Sequence, residues 1–205
     1  MHEFPKLYAI LDLGPSRDIE AILNFASELT AGGVTLMQFR AKDAEAASVL
    51  SHARELRRVL GPAVRLIMND RADLCIAAGF NGVHVGQDDL SPEGARTVVG
   101  PQRWIGVSTH NVDQVSLADT TSADYIAIGP VFATGSKQNP DPVVGLEGVR
   151  AARAATHKPL IAIGGITRAN CHSVLKAGAD SVAVISDLLA NPRQRAKEFL
   201  NLLAG

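Results

Sequence analysis

The sequence has few cysteines and no surplus of charge. Cys75 and Cys171 are the only two, and they lie far apart in apolar stretches. This spacing suggests neither a disulfide framework nor a CxxC metal site, so we expect two buried free thiols. Twenty basic residues stand against 21 acidic ones, for a net charge of −1, and no dense run of lysine and arginine occurs. The composition argues against nucleic acid as a partner, because a phosphate backbone is bound through clustered cations.

Long apolar runs are also missing. Nowhere do about 18 apolar residues follow one another, the length at which a membrane-spanning helix would be predicted. Asp12 interrupts the apolar LYAILDL segment, and no basic region precedes a long apolar run near the amino terminus. We therefore expect a soluble, cytoplasmic protein with no membrane partner.

The chain does contain a regular alternation of short β-like runs with amphipathic, helix-like stretches. The eight β-like runs are residues 6–12, 34–40, 64–70, 82–86, 104–108, 124–129, 159–165 and 180–186. A helix-like stretch follows each run. In the second of these, at residues 43–61, Asp43 is the expected N-cap and Gly61 marks the end.

Eight βα units of roughly 25 residues each predict an α/β fold, a closed (β/α)8 TIM barrel. We expect residues 1–205 to form one such domain. An open, doubly wound sheet is the alternative. That fold would more often carry a GxGxxG motif in its first turn, and LDLGPSRD is not one. In a barrel, the chemistry lies at the carboxyl ends of the strands.

Polar residues end most of the predicted strands. The third run passes from apolar VRLIM into Asn69, Asp70 and Arg71. Taken singly, this change is explained by Asn69 or Asp70 capping the next helix, with Arg71 in solvent. Other strand ends read QFRAK, GQDD, STHN, GPVFATGSK, GGIT and ISD. Because all of these ends meet at one mouth of a barrel, together they favour a functional site.

One anion site is expected where the last two strands end. Gly164 and Gly165 leave backbone amides uncovered, and Ile185 and Ser186 lead into a short helical turn. Two sets of amides at a helix start can hold a phosphate. The alternative is that the two glycines only allow close packing.

A second anion site is expected beside the cations Arg40, Lys42 and Lys137. Asp70, with Asp88 or Asp89, supplies carboxylates next to them. Oxygen ligands beside cations suit a Mg2+ ion that keeps several waters and bridges to a diphosphate. The alternative is a set of surface ion pairs between neighbouring loops.

The segment at residues 129–145 is a long connection for a compact barrel, and we expect it to close over the site. Thr134, Ser136 and Lys137 within it offer two hydroxyls and one cation. His110 follows a strand end and is expected to donate a hydrogen bond. His84 lies within a strand and is expected to be a satisfied core residue.

Seven motifs run in order over nearly the whole chain: QFRAK, MNDRADL, GVHVGQDDL, GVSTHN, DYIAIGPVFATGSK, PLIAIGGI and GADSVAVIS. Together they resemble the thiamine phosphate synthase family. That family is a (β/α)8 enzyme that joins 4-amino-2-methyl-5-hydroxymethylpyrimidine diphosphate to 4-methyl-5-hydroxyethylthiazole phosphate and releases pyrophosphate with Mg2+. The resemblance implies a dissociative reaction, in which the thiazole nitrogen captures an aminopyrimidine cation and no protein nucleophile is needed.

The resemblance also implies the role of each site residue. Gln38, Arg40, Lys42, Asn69, Ser108 and Lys137 would bind the pyrimidine diphosphate, Asp70 and Asp89 would hold Mg2+, and Thr134, Ser136, Gly165, Ile185 and Ser186 would hold the thiazole phosphate. The expected catalytic residues are Arg40, Lys42, Lys137 and Ser108. Asp88 would then be free to cap the helix that begins near Ser91.

The chain departs from the family pattern at two positions. Ser136 stands where a threonine is common and keeps the hydroxyl. Leu11 stands where a threonine often precedes the aspartate, which puts the pocket wall and the role of Asp12 in question.

The related thiazole tautomerase is the nearest alternative function. That family is an isomerase with the same barrel fold, and it binds thiazole phosphate without Mg2+ chemistry. It lacks the NDR aspartate and the acidic GQDD-type turn. Asp70 and Asp89 therefore favour the synthase. A non-enzymatic phosphate-binding barrel would leave the diphosphate cluster unexplained. The expected partners are small-molecule substrates, and the oligomeric state is left open, a homo-oligomer included.

Overall fold

Eight parallel strands form a closed barrel in sequence order. The computed structural model of the chain describes residues 4–14, 18–42, 44–135 and 141–204. The strands are β1 Leu7–Asp12, β2 Leu36–Arg40, β3 Arg65–Asn69, β4 Gly82–Val85, β5 Trp104–Thr109, β6 Tyr125–Ile128, β7 Leu160–Ile163 and β8 Ser181–Val184. β1 pairs with both β2 and β8, and Leu7 lies opposite Val182. This closure confirms the predicted barrel and excludes the open sheet.

A helix follows each strand. The helices are α1 Ile19–Ala31, α2 Ala46–Leu60, α3 Ala72–Ala77, α4 Pro92–Val99, α5 Val112–Asp119, α6 Gly145–Ala155, α7 Cys171–Lys176 and α8 Pro192–Leu203. A short 3-10 turn, Ser186–Leu188, separates β8 from α8. Within the described ranges, no helix combines the length and the apolarity needed to cross a membrane. The cellular location and the single domain at 1–205 stay predictions.

Local chemistry explains where the first helices begin and end. The Asp18 carboxylate accepts a hydrogen bond from the Ala21 amide and so caps α1. α2 ends as predicted before Gly61, whose φ of 64° suits a glycine. Glu45 precedes α2 and makes no side-chain cap, while the predicted cap, Asp43, lies outside the described residues.

The larger part of the core lies between the strands and the helices. Cys75 and Cys171 are buried free thiols in this layer, which confirms the prediction from their spacing. Leu11 also belongs to it and is fully buried, whereas its neighbour Ile10 lines the cavity at the barrel mouth. The departure at Leu11 therefore does not alter the pocket wall.

A smaller part of the core fills the barrel interior. It consists of Tyr8, Ile10, Leu36, Ile67, Tyr125, Ala127, Ile161 and Ala183. Phe4 packs against this cluster and stacks on Trp104 with a centroid distance of 5.1 Å. The Arg65 guanidinium lies 3.7 Å from the Trp104 ring centroid. This packing fills the amino-terminal end of the barrel and leaves the carboxyl end for ligands.

Several strands end earlier at their carboxyl ends than the sequence predicted. β3 ends at Asn69, because Asp70 has a φ of 58° and leaves the extended region. β7 ends at Ile163, because Gly164 and Gly165 have φ values of 98° and 63°. The polar strand ends thus lie in the first turn of each connecting loop, where they can face a ligand.

Candidate active site

A cavity of about 540 Å3 opens at the carboxyl ends of the strands. Most of the site residues expected from the sequence line it, namely Gln38, Arg40, Lys42, Asn69, Asp70, Asp89, Ser108, Thr134, Gly165, Ile185 and Ser186. Ser136 and Lys137, also expected there, lie outside the described residues. The fold therefore brings these residues together, and their individual roles stay predictions.

Two carboxyl groups meet at one side of this cavity. Asp70 follows β3 and Asp89 follows β4, and both side chains line the cavity. Burial and the nearby Asp89 carboxylate raise the pKa of Asp70 to about 6, against the lowering effect of Lys42 and Arg40. Asp89 also accepts a hydrogen bond of 2.8 Å from the Gly86 amide. Two carboxylates this close need a proton or a cation between them.

An unusual backbone holds Asp70 in this position. Its φ of 58° lies in the left-handed region, which is uncommon for a residue other than glycine, and its amide donates to the His84 carbonyl at 2.8 Å. Neither Asn69 nor Asp70 caps α3, since Arg71 occupies the cap position without a side-chain cap bond. Helix capping therefore does not explain the polar end of β3.

Asp88 also lines the cavity but does not cap α4. Ser91 fills that position, and its hydroxyl accepts a hydrogen bond of 3.1 Å from the Gly94 amide. The prediction that Asp88 would serve as the cap is wrong, because a serine directly before Pro92 already meets the need.

The cations at the end of β2 lie beside the carboxyl pair. Arg40 and Lys42 both line the cavity, and the charges of both lower the pKa of Asp70. Arg40 forms an ion pair with Asp12, its direct partner in the β1–β2 register. Asp12 thereby fixes the direction of the guanidinium, which answers the question left open by the sequence.

The glycines after β7 serve the packing of a neighbouring loop. A Cβ on Gly165 would lie 2.5 Å from the Ala133 carbonyl oxygen, and one on Gly164 would lie 2.5 Å from the Pro130 Cβ. The Phe132 amide donates to the Gly164 carbonyl at 3.0 Å. Close packing, the alternative reading, therefore applies, and it coexists with amides that border the cavity.

An acidic side chain joins the turn after β8 to the loop after β7. Asp187 accepts hydrogen bonds from the Arg168 amide at 2.9 Å, from its Nε at 3.1 Å and from Arg195 Nη1 at 2.7 Å. These bonds join the turn that begins at Ser186 to the loop that contains Gly165, and both residues line the cavity. The sequence showed no sign of this contact, because it depends on how two loops meet.

The two histidines at the mouth behave as predicted. His84 is buried, and it is hydrogen-bonded to Tyr125 and Ser108, which confirms a satisfied core residue. His110 Nδ1 donates to the Gly129 carbonyl at 2.7 Å and lies 3.4 Å from the Asp141 carboxylate. His110 therefore ties the two described ends of the 129–145 loop to β5. The closing motion expected of this loop stays a prediction.

Comparisons with known proteins point to one family. The family model described as thiamine monophosphate synthase matches residues 7–188. The thiamine-phosphate synthase of Koribacter versatilis is 64% identical over 204 residues, which cover 98% of this chain and 97% of the relative. The enzyme of the same name from Chloroflexus aurantiacus is 41% identical over 188 residues, covering 90% of this chain and 85% of the relative.

Solved structures agree with these relatives. A thiamine phosphate pyrophosphorylase from Pyrococcus furiosus superimposes with a TM-score of 0.84 at 31% identity, covering 97% of this chain and 95% of that one. A 3-hexulose-6-phosphate synthase superimposes with a TM-score of 0.69 at 18% identity, covering 97% and 99% of the two chains. The second likeness shows the shared barrel fold alone.

Proposed function

Because the chain belongs to the thiamine monophosphate synthase family, we propose that it joins the aminopyrimidine diphosphate to the thiazole phosphate and releases pyrophosphate. The enzyme is a transferase of thiamine biosynthesis. The observation that carries the substrate assignment is the pair Asp70 and Asp89, which lies beside Arg40 and Lys42 in one cavity. A tautomerase acting on thiazole phosphate alone would have no use for that arrangement.

Each substrate has its own side of the barrel in this proposal. The pyrimidine diphosphate lies over β2 to β5, where Arg40, Lys42, Asn69 and Ser108 border the cavity. The thiazole phosphate lies over β7 and β8, where Gly165 and Ser186 offer amides and a hydroxyl. In a closed eight-stranded barrel these two sides face each other, so the reacting carbon of the aminopyrimidine and the thiazole nitrogen meet in the middle.

The carboxyl pair fits a magnesium ion. The raised pKa of Asp70 reflects burial and the nearby charge of Asp89, and a bound cation would relieve that repulsion. Among the described residues, no three His, Cys, Asp or Glu side chains form a metal-binding group. Two carboxylates suit Mg2+, which usually keeps waters and takes further oxygens from substrate phosphates. Held by Asp70 and Asp89, Mg2+ would neutralise charge on the diphosphate.

The remaining chemistry falls to the side chains of the cavity. Arg40 and Lys42, with Lys137 from the 129–145 loop, stabilise negative charge on the departing pyrophosphate. The C–O bond to the diphosphate breaks, and the aminopyrimidine carries the positive charge until the thiazole nitrogen forms the new C–N bond. Apolar walls at Ile161 and Ile163 keep water from this cation. No protein nucleophile takes part.

The direct test is to mix the purified chain with both substrates and Mg2+, then to measure thiamine phosphate and pyrophosphate. We expect equal amounts of the two products, and none when either substrate is left out. A folded protein that makes neither product would overturn the proposal. Incubation with a carboxylated thiazole phosphate alone, followed by NMR, tests the alternative, since a tautomerase would change the double-bond position without a second substrate.

A further inference from the structure

A continuous hydrogen-bond chain of five side chains crosses the barrel interior at the floor of the cavity. Gln38 Nε2 donates to the Tyr8 hydroxyl at 2.9 Å, and the Tyr8 and Tyr125 hydroxyls are 3.0 Å apart. The Tyr125 hydroxyl lies 3.1 Å from His84 Nδ1, and His84 Nε2 lies 2.9 Å from Ser108 Oγ. The two ends of the chain, Gln38 and Ser108, both border the cavity.

The hydrogens available to these groups give the chain a direction. Tyr8 accepts from Gln38, so its own O–H donates to the Tyr125 oxygen. The Tyr125 O–H then donates to His84 Nδ1, which must carry no proton. An imidazole without a proton on Nδ1 is in its neutral form and carries a single N–H. Its single N–H is therefore on Nε2 and donates to Ser108 Oγ.

Packing around the chain keeps its members in register. Tyr8 and Tyr125 are fully buried, so their hydroxyls need partners inside the barrel. Gly106 on β5 leaves the space in which Tyr125 and His84 meet, because a Cβ there would lie 2.1 Å from Tyr125 Cζ and 2.4 Å from His84 Nδ1. The hydrogen-bond chain therefore requires a glycine at this position.

We propose that Tyr125 and His84 are positioning residues, which hold Gln38 Oε1 as an acceptor and the Ser108 O–H as a donor toward one bound aminopyrimidine. An aminopyrimidine offers an amino group that donates and a ring nitrogen that accepts, so it complements this polarity. The inference rests on the proposed function for the identity of the ligand. The donor-to-acceptor direction of the hydrogen-bond chain does not depend on any ligand.

The kinetic test is Tyr125→Phe, which removes one hydroxyl and keeps the ring. We expect KM for the pyrimidine diphosphate to rise about tenfold, as for one lost hydrogen bond, and KM for the thiazole phosphate to stay within about twofold. Ser181→Ala is the matched control. It also removes a fully buried hydroxyl from a barrel strand, and its Oγ has no hydrogen-bond partner among the described residues. Equal effects of the two variants on both KM values would overturn the positioning role.

The spectroscopic test uses 15N-labelled histidine in the parent protein, without substrate, and His84→Gln assigns the signal. We expect the Nε2–H tautomer of His84 near neutral pH, and in Tyr125→Phe a shift toward the other tautomer or a mixture. An Nδ1–H tautomer in the parent would overturn the direction of the chain, even if Tyr125→Phe failed to fold. A parent that holds the expected tautomer but makes no thiamine phosphate would instead refute only the proposed function.

Discussion

The Asp89 carboxylate raises the pKa of the Asp70 carboxyl group, although the two side chains follow two different strands of the barrel. Asp70 is brought there by a left-handed backbone and Asp89 by a bond from the Gly86 amide. Both features direct negative charge toward a cavity that also holds Arg40 and Lys42. Such an arrangement suits the metal diphosphate that we propose as the ligand, since it combines a cation with an anion.

The neighbours Asp88 and Asp89 should differ in their effect on catalysis. Asp89→Asn keeps the shape but removes a charge beside Asp70, and we expect kcat/KM to fall on the order of 100-fold, about 3 kcal/mol of transition-state stabilisation. Asp88→Asn is the matched control and should cost little. The measurement is kcat/KM for both variants across a Mg2+ titration. A large loss of activity in Asp88→Asn, with near-parental activity in Asp89→Asn, would assign the metal-binding role to Asp88 instead.

Activity should require a divalent cation. Protein treated with a chelator should lose thiamine phosphate formation and regain it when Mg2+ is added, because Asp70 and Asp89 otherwise repel each other and the diphosphate. Calorimetric titration of Mg2+ in the presence of pyrophosphate gives a second readout that needs no turnover. An undiminished rate after chelation would remove the metal from the site.

The stability of the protein should decrease as the pH is lowered, because His84 is buried in its neutral form. Its pKa is lowered by burial from 6.5 to about 4, so the unfolded chain binds a proton between these values and the folded chain does not. The stabilisation is complete above pH 6.5 and is lost as pH falls toward 4. Between about pH 7 and pH 5 the free energy of unfolding should drop by about 2 kcal/mol from this group.

Urea unfolding at several pH values tests this expectation. His84→Gln should show a smaller drop than the parent over the same interval, whatever its stability at pH 7. His172→Gln, which changes an exposed histidine, should behave as the parent does. A parallel pH dependence in all three proteins would mean that His84 does not carry the effect.

Gly165 should be intolerant of a side chain for a reason that goes beyond its backbone angle. Gly165→Ala places a Cβ within 2.5 Å of the Ala133 carbonyl oxygen and 2.8 Å of Phe132 Cβ. We expect a loss of about 2–4 kcal/mol in stability, from left-handed strain and overpacking together, and a higher KM for the thiazole phosphate.

Gly79→Ala is the matched control for that variant. Gly79 has a similar φ, 67° against 63°, but a Cβ there would meet nothing within 4 Å. It should lose only the backbone part, about 1 kcal/mol, and keep both KM values. Equal losses of stability in the two variants would show that the contact with the 130–133 loop is unimportant.

The sequence predicted the barrel well because its information is local. Apolar periodicity identifies each strand, and closure then brings all polar strand ends to one mouth, so residues as distant as Gln38 and Ser186 could be placed in one site. Strand ends were less accurate, because the left-handed turn at Asp70 continues the sequence pattern of a strand without its backbone.

The contacts that the sequence missed are those set by register and by loop packing. Tyr8 and Tyr125 are 117 positions apart, and only the closed barrel brings their hydroxyls together. A signal did exist, since the chain has two tyrosines and both lie in apolar strands, where a buried hydroxyl needs a partner. The pairing of Arg40 with Asp12 follows from the β1–β2 register in the same way.

Asp187 offers a last test, since it connects two loops without lining the cavity itself. Asp187→Asn weakens four bonds, from the Arg168 amide, Arg168 Nε, Arg168 Nη2 and Arg195 Nη1, and should release the turn that carries Ser186. We expect KM for the thiazole phosphate to rise about fivefold, as for roughly 1 kcal/mol, with little change in KM for the pyrimidine diphosphate. Glu198→Gln removes a carboxylate that pairs with the same Arg168 from α8, away from the turn. If Glu198→Gln raised KM for the thiazole phosphate equally, Arg168 and not the tethered turn would be responsible.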